Sequence, residues 1–224
     1  MTLHSRTSEE NHAEEGHYWI SISDLMTSLL FIFIIILAYT ILTFSQESEA
    51  YEENFNARSD LLNELKTVLA KRDIDVDIDP QNGNMRIRSD TFFAIGSAEL
   101  SKEGVQKIGE IARQIRDKMK GKRFQKAIDT VFIEGHTDNR PFTTTGSRRW
   151  TNMELSSQRA INSFLVMDGA AELKQMKNTD GKFLFSYSGY GATRPVDMND
   201  TVEARNKNRR IEFFFALSSP KVPQ

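Results

Sequence analysis

The segment Ile128–Phe142, IDTVFIEGHTDNRPF, begins as a strand and ends as a polar loop. Its opening IDTVFIEG is rich in β-branched and aromatic residues and runs into a glycine, the composition of a buried strand leaving a sheet. Farther on, TNMELSSQRAINSFL (Thr151–Leu165) starts with a capping box. Thr151 can accept from the Glu154 amide while the Glu154 side chain reaches back, so a helix begins here. This strand–loop–helix order puts Asp138 at a strand exit and Arg159 on the first turns of the next helix. Facing a common cleft, the two would hold a zwitterion, the carboxylate taking an ammonium and the guanidinium forking onto a carboxylate. A plain salt bridge between them is the alternative use, and the residues alone favour neither.

Working outward, IDVDID (Ile74–Asp79) and MRIRS (Met85–Ser89) alternate apolar and polar residues around PQNGN, which reads as a hairpin. LSKEGVQKIGEIARQIRDKM (Leu100–Met119) places Val105, Ile108, Ala112, Ile115 and Met119 on one helical face. KFLFSYSGYG (Lys182–Gly191) is a strand ending in a glycine turn, and RRIEFFFAL (Arg209–Leu217) is the last strand. No internal repeat is present. The expectation is one α+β domain over residues 73–217, a mixed sheet with helices on one face, followed by a short tail, 218–224.

Composition narrows the function. The chain has 224 residues, no cysteine and a formal charge of −2. Disulfides, thiolate nucleophiles and cysteine metal sites are excluded, and the overall charge points to no nucleic-acid partner. The basic cluster Lys118, Lys120, Lys122, Arg123 and Lys126 follows an amphipathic helix, where cations are favoured anyway. His136 has no second ligand at metal spacing and no Gly-x-Ser-x-Gly elbow accompanies it. Neither an enzyme nor a resident cofactor is expected.

The N-terminal part is of another kind. Residues 1–17 are polar and aperiodic and read as a cytoplasmic tail. Residues 18–44 read as a membrane helix with Tyr18 and Trp19 at its boundary. From Leu25 to Phe44 nothing is charged, and some 20 residues at about 1.5 Å each match the hydrocarbon thickness. The run is too long for a signal peptide and offers no A-x-A site, so it reads as an uncleaved anchor. Residues 45–72 lack Gly and Pro and form a helical linker. There Tyr51, Phe55, Leu62, Leu65 and Leu69 make a stripe suited to pairing with a copy of itself, interrupted by Arg58. Arg6 tips the charge balance slightly toward a cytoplasmic N-terminus.

Within this anchor stands one carboxylate, Asp24, flanked at i−3, i+3 and i+4 by Ser21, Thr27 and Ser28. A carboxylate at the centre of a membrane helix costs roughly 2.5–3.5 kcal/mol, less near the edge. Asp24 either caps the helix at the water boundary or binds and releases a cation beside a hydroxyl stripe that suits H+ or Na+.

The motifs FFAIGSAEL, GHTD, LSSQRA, GYG with its trailing Pro195, and NRRIE, in that order, resemble the OmpA-like peptidoglycan-binding domain. The resemblance implies that Asp138 and Arg159 grip the zwitterionic end of diaminopimelate in a cell-wall stem peptide. Thr137, Asn152, Leu155 and Ser156 would then shape the pocket, and Arg209 and Arg210 would be mainly structural. WISISDLMTSLLFIFIIIL resembles the membrane helix of flagellar stator B subunits of the MotB and PomB families, which implies that Asp24 is the ion-carrying group. It further implies a B-subunit homodimer inside a ring of multi-span A subunits, in the inner membrane, with the C-terminal domain in the periplasm. The acidic tail and the short connection from span to domain depart from the flagellar pattern. They are more similar to the ZorB family of the Zorya anti-phage defence systems, which implies a motor complex serving antiviral defence. A passive tether between membrane and wall would need the same domain but has no use for Asp24.

Overall fold

The computed structural model describes residues 4–94, 96–142 and 151–220, with the side chains of residue 19 and of residues from 21 onward. The chain divides into two compact units, one reaching Ala50 and one covering Tyr51–Pro220.

Helix α1 (His4–Ala70) makes up the first unit and enters the second. It contains an apolar window of mean hydropathy 2.6, none of it buried, and is the one helix among the described residues long and apolar enough to cross a membrane. Leu29, Phe31, Phe33 and Ile35 stand more than half exposed, as suits a helix whose solvent is hydrocarbon. The stretch expected to be an unstructured tail is helical from His4 onward, while residues 1–3 lie outside the described part. No proline precedes the span, and a helix already nucleated extends at little cost through residues such as Glu and Ala.

The second unit opens with residues 51–70 of α1, and here the expected self-pairing stripe has another partner. Leu61, Leu62, Leu65 and Leu69 are fully buried in the core of their own domain. Arg58, the apparent interruption, is itself buried and donates to the carbonyls of Gln81 (2.8 Å) and Phe215 (3.3 Å). Asn54 donates to the Ser218 carbonyl at 3.2 Å. A tethered helix covers the domain's apolar face without the entropy cost of associating with a second chain. Each buried leucine contributes about 1.5–3 kcal/mol. The exposed pairs Glu53–Lys126, Asp60–Arg123 and Glu64–Lys118 border the same seam and add little apiece.

Five strands form one mixed sheet: β1 (Asp77–Asp79), β2 (Asn84–Arg88), β3 (Ile128–His136), β4 (Phe185–Gly191) and β5 (Arg210–Leu217), in spatial order β1-β2-β5-β3-β4. Only the β3–β4 pair is parallel. The β1–β2 hairpin forms as expected, with Gly83 at φ +79° in its turn, a region only glycine enters freely. Alternation along the strands splits the sheet into two faces. Met85, Ile87, Val131, Ile133, Ile211, Phe213 and Phe215 turn toward α1, α2 (Lys102–Met119) and α4 (Asn152–Ala171) and join one core. Phe132, Glu134, His136, Arg210, Glu212 and Phe214 line a cleft on the other face.

Helix α2 departs from its expected face at one position. Ile108, Ile111, Ala112, Ile115 and Met119 are buried, whereas Val105 is 43% exposed. Ile111 replaces Val105 because the first turn of α2 is held by Gly104, whose Cβ would sit 2.5 Å from the Phe92 carbonyl. The short helices α3 (Lys122–Ala127) and α5 (Val202–Asn208) complete the unit.

Candidate functional site

Strand β3 delivers Asp138, and the N-terminal half of α4 delivers Arg159. The capping box forms as the sequence demands, with the Thr151 amide donating to the Glu154 carboxylate at 2.8 Å. Two glycines let α4 approach the sheet closely. A Cβ on Gly135 would lie 2.0 Å from the Ser156 carbonyl oxygen, and one on Gly189 would lie 2.2 Å from the Ser157 nitrogen. Ser156 secures the approach by donating to the Met153 carbonyl (2.9 Å) and accepting from the Gly191 amide (2.8 Å).

The loop after β3 is pinned at several points. The Thr137 amide donates to the Gly191 carbonyl at 2.9 Å, and its hydroxyl donates to the Asp138 carbonyl at 3.0 Å. Asn152 donates through its side-chain amide to the carbonyls of Arg140 (2.8 Å) and Asp138 (3.3 Å). Leu155 is 5% exposed and forms an apolar wall. The six residues expected at this site therefore meet here: Asp138, Arg159, Thr137, Asn152 and Leu155 line one pocket of about 220 Å³, and Ser156 supports it from behind.

Within the pocket, the expected alternatives for Asp138 and Arg159 resolve in an unanticipated way. Asp138 makes its ion pair with Arg209, not Arg159, and its other oxygen accepts from the Arg140 amide at 3.1 Å. Arg159 is 4% exposed, and among the described residues it donates to neutral oxygens: the Ser97 carbonyl at 2.8 Å, the Ser89 hydroxyl at 3.4 Å and the Ala94 carbonyl at 3.4 Å. Its guanidinium also lies over the Phe93 ring, 5.1 Å from the centroid. Burial, and then the nearby charge of Arg209, push the Arg159 pKa down to about 10, with Asp138 pulling the other way. A buried cation held by neutral groups is costly. An anion entering the pocket relieves that cost, while Asp138 favours a cationic group beside it.

Arg209 was expected to be mainly structural together with Arg210, and here the reading needs correction. Neighbouring residues at a strand start point to opposite faces. Arg209 goes to the pocket, whereas Arg210 goes to the free face and donates to Glu212 at 2.6 Å. That alternation was available in the NRRIE motif and is the signal that separates the two roles.

In the apolar helix, Asp24 is exposed with Ser21, Thr27 and Ser28 around it in sequence. The Thr27 hydroxyl donates back to the Ser23 carbonyl at 2.7 Å, and Ser23 donates to the Trp19 carbonyl at 2.8 Å. Thr27 thereby spends its proton on the helix backbone and keeps its oxygen lone pairs free to accept.

Comparison with known proteins agrees with this arrangement. Motility protein B of Bacillus subtilis is 31% identical over 161 residues, covering 72% of this chain and 55% of that protein. Zorya protein ZorB of Escherichia coli (strain Crooks) is 28% identical over 214 residues, covering 89% of this chain and 88% of that protein. A solved structure described as the cell wall anchor of the T6SS from Pseudomonas aeruginosa is 27% identical with a TM-score of 0.50, covering 69% of this chain and 96% of that one. The chain thus spans about half the length of one of these relatives and most of the other two. The model of the OmpA family matches residues 92–209, which hold the pocket lining apart from Ser89 and Asp90 and make up more than half of the 224 residues. With this pocket, this sheet and one apolar helix ahead of them, the chain belongs to the OmpA family and is a homologue of the motility protein B and ZorB proteins.

Proposed function

We propose that this chain is the peptidoglycan-anchored B subunit of an ion-driven, stator-like motor complex in a bacterial inner membrane, of the ZorB kind that acts in anti-phage defence. The observation that carries the wall-binding part is Arg159: a buried guanidinium whose hydrogen bonds among the described residues go to neutral oxygens, in one pocket with the carboxylate of Asp138. A stem-peptide end with one carboxylate and one ammonium satisfies both. The N-terminus is cytoplasmic and the OmpA-like domain periplasmic, where peptidoglycan is found. A homodimer of this chain stands within a ring of multi-span A subunits.

In this reading a proton passes by way of Asp24, with Ser21, Thr27 and Ser28 beside it as acceptors and donors. A charge falling through 100 mV releases about 2.3 kcal/mol, so several per step can drive a sizeable rearrangement. The grip on the wall holds this subunit still while its A-subunit neighbours move. The ZorB assignment is favoured over a flagellar one by length, since the match spans 88% of ZorB but 55% of motility protein B. The slightly higher identity to motility protein B, 31% against 28%, favours the flagellar reading.

Wall binding is tested by cosedimentation of the full chain with isolated peptidoglycan. Arg159→Glu is expected to lower the bound fraction at least tenfold while leaving thermal unfolding cooperative. Undiminished sedimentation would overturn the wall-anchor role of this pocket. Copurification with a multi-span membrane protein separates the motor subunit from a passive tether.

A further inference from the structure

The pocket has more positive than negative charge. Its walls carry three guanidiniums, Arg140, Arg159 and Arg209, and two carboxylates, Asp90 and Asp138. Asp90 is already taken by Arg88, which stands outside the pocket. Asp138 alone therefore offsets three cations. A ligand that is a simple zwitterion adds no net charge: its carboxylate meets Arg159, and its ammonium competes with Arg209 for Asp138.

Arg209 has capacity to spare. One Nη faces Asp138 and the other faces the Asn206 side-chain oxygen, leaving further N–H donors of its five unassigned. Its side chain is 31% exposed, so a ligand can reach it, unlike the deeply set Arg159. Arg209 and Arg159 line the same pocket, and the charge of Arg209 adds to burial in lowering the Arg159 pKa. Two like charges converging on one cavity are best relieved by two anionic groups.

We infer that Arg209 is a third ligand-binding residue that takes a second carboxylate, so that the site selects a peptide end carrying one ammonium and two carboxylates over a neutral zwitterion. The inference rests on the stem-peptide reading given above and sharpens it. In such a stem the nearest second carboxylate is the α-carboxylate of the D-glutamate preceding the diamino acid. Amidation of that group, giving D-isoglutamine, removes the charge and leaves the zwitterionic end intact.

The test is calorimetric titration of the detergent-solubilised full chain with two muropeptides, N-acetylmuramoyl-L-Ala-D-Glu-meso-diaminopimelyl-D-Ala and its D-isoglutamine counterpart, in both of which the diamino acid's other carboxyl is tied up in the amide to D-alanine. The wild type is expected to bind the free acid roughly tenfold or more tightly, the effect of losing one charge-assisted hydrogen bond. Arg209→Gln is expected to bind both forms alike, and Arg209→Lys to restore part of the preference. Arg140→Gln serves as the control for the other outward guanidinium and should keep the preference. Equal binding of the two forms by the wild type overturns the inference while leaving wall binding intact. So does a preference lost in Arg140→Gln but kept in Arg209→Gln. Binding of neither form by the wild type sinks the stem-peptide reading and this inference with it.

Discussion

Asp24 and Asp138 are both carboxylates in surroundings that would seem to reject them, yet the chain treats them in opposite ways. Asp138 is 7% exposed and is surrounded by donors from its own domain, the Arg209 guanidinium and the Arg140 amide. Asp24 stands exposed on an apolar helix whose nearby Thr27 hydroxyl is turned back to the backbone. One site is built within a single fold, with donors already in contact with its carboxylate. The other supplies a charge and leaves its solvation to whatever lies alongside. A carboxylate already met by donors suits holding on, and under the proposed function a carboxylate exposed on an apolar helix suits taking up and releasing an ion.

The sharpest way to break this comparison is Asp24→Asn, which keeps shape and removes the charge. The proposed function predicts complete loss of phage protection in cells, down to the level of a deletion, with cosedimentation on peptidoglycan unchanged. Full protection by this variant would remove the ion-carrying role. Next in size is Gly135→Val. Its Cβ has nowhere to go against the Ser156 carbonyl, so α4 must back away from the sheet. A loss of about 3 kcal/mol or more in unfolding free energy is expected, with weakened wall binding, because Asp138 and Arg159 separate. A urea midpoint matching that of the wild type would show that α4 is not clamped at this point.

The smallest effect is expected at His136. Its ring is 1% exposed, neither nitrogen has a hydrogen-bond partner among the described residues, and Glu134 and Glu212 approach Nε2 at 3.6 and 3.7 Å. Tyr190 stacks on the ring, Arg194 covers Tyr190, and Arg210 opposes a positive charge there. Burial holds the His136 pKa below its ordinary value, with Arg210 adding to the shift and the two glutamates resisting it. The folded protein then binds fewer protons than the unfolded chain once pH drops below about 6.5. Stability should be full above that point and decline as pH falls through the depressed folded value. His136→Gln should flatten this component, measured as the change in urea midpoint between about pH 7 and about pH 5.5. Equal slopes in both proteins would mean that the histidine titrates alike in the folded and unfolded chain, so that burial does not hold its pKa down.

The local elements were legible because each has a short-range cause. The PQNGN turn, the Thr151–Glu154 capping box and the strands around FFF and VFI follow from neighbours within a few residues, and all formed where expected. Partners were not legible. Leu62, Leu65 and Leu69 announce a buried helical face but not what buries it, and here the core of their own domain does so. Arg58 looked like a fault in the stripe because its acceptors, the carbonyls of Gln81 and Phe215, carry no signature in the sequence. The exchange of Val105 for Ile111 in the α2 core depends on how closely Gly104 approaches Phe92, a tertiary fact. Asp138 and Arg159 were found through motif resemblance and residue chemistry. Arg209 was missed as a pocket residue because a doubled arginine was read as one feature rather than as two opposite sides of a strand.

The seating of residues 51–70 has a mechanical side. Arg58 is held by two carbonyls, one in the β1–β2 turn and one in β5, with Leu61, Leu62, Leu65 and Leu69 sunk in the core behind it. Tension along this helix cannot peel these contacts off in sequence, because a slip of even one turn, about 5.4 Å, outreaches both guanidinium bonds and unseats every leucine at once. Load arriving there is shared like shear across a glued lap joint, the arrangement an anchor needs if it is to yield late and all together.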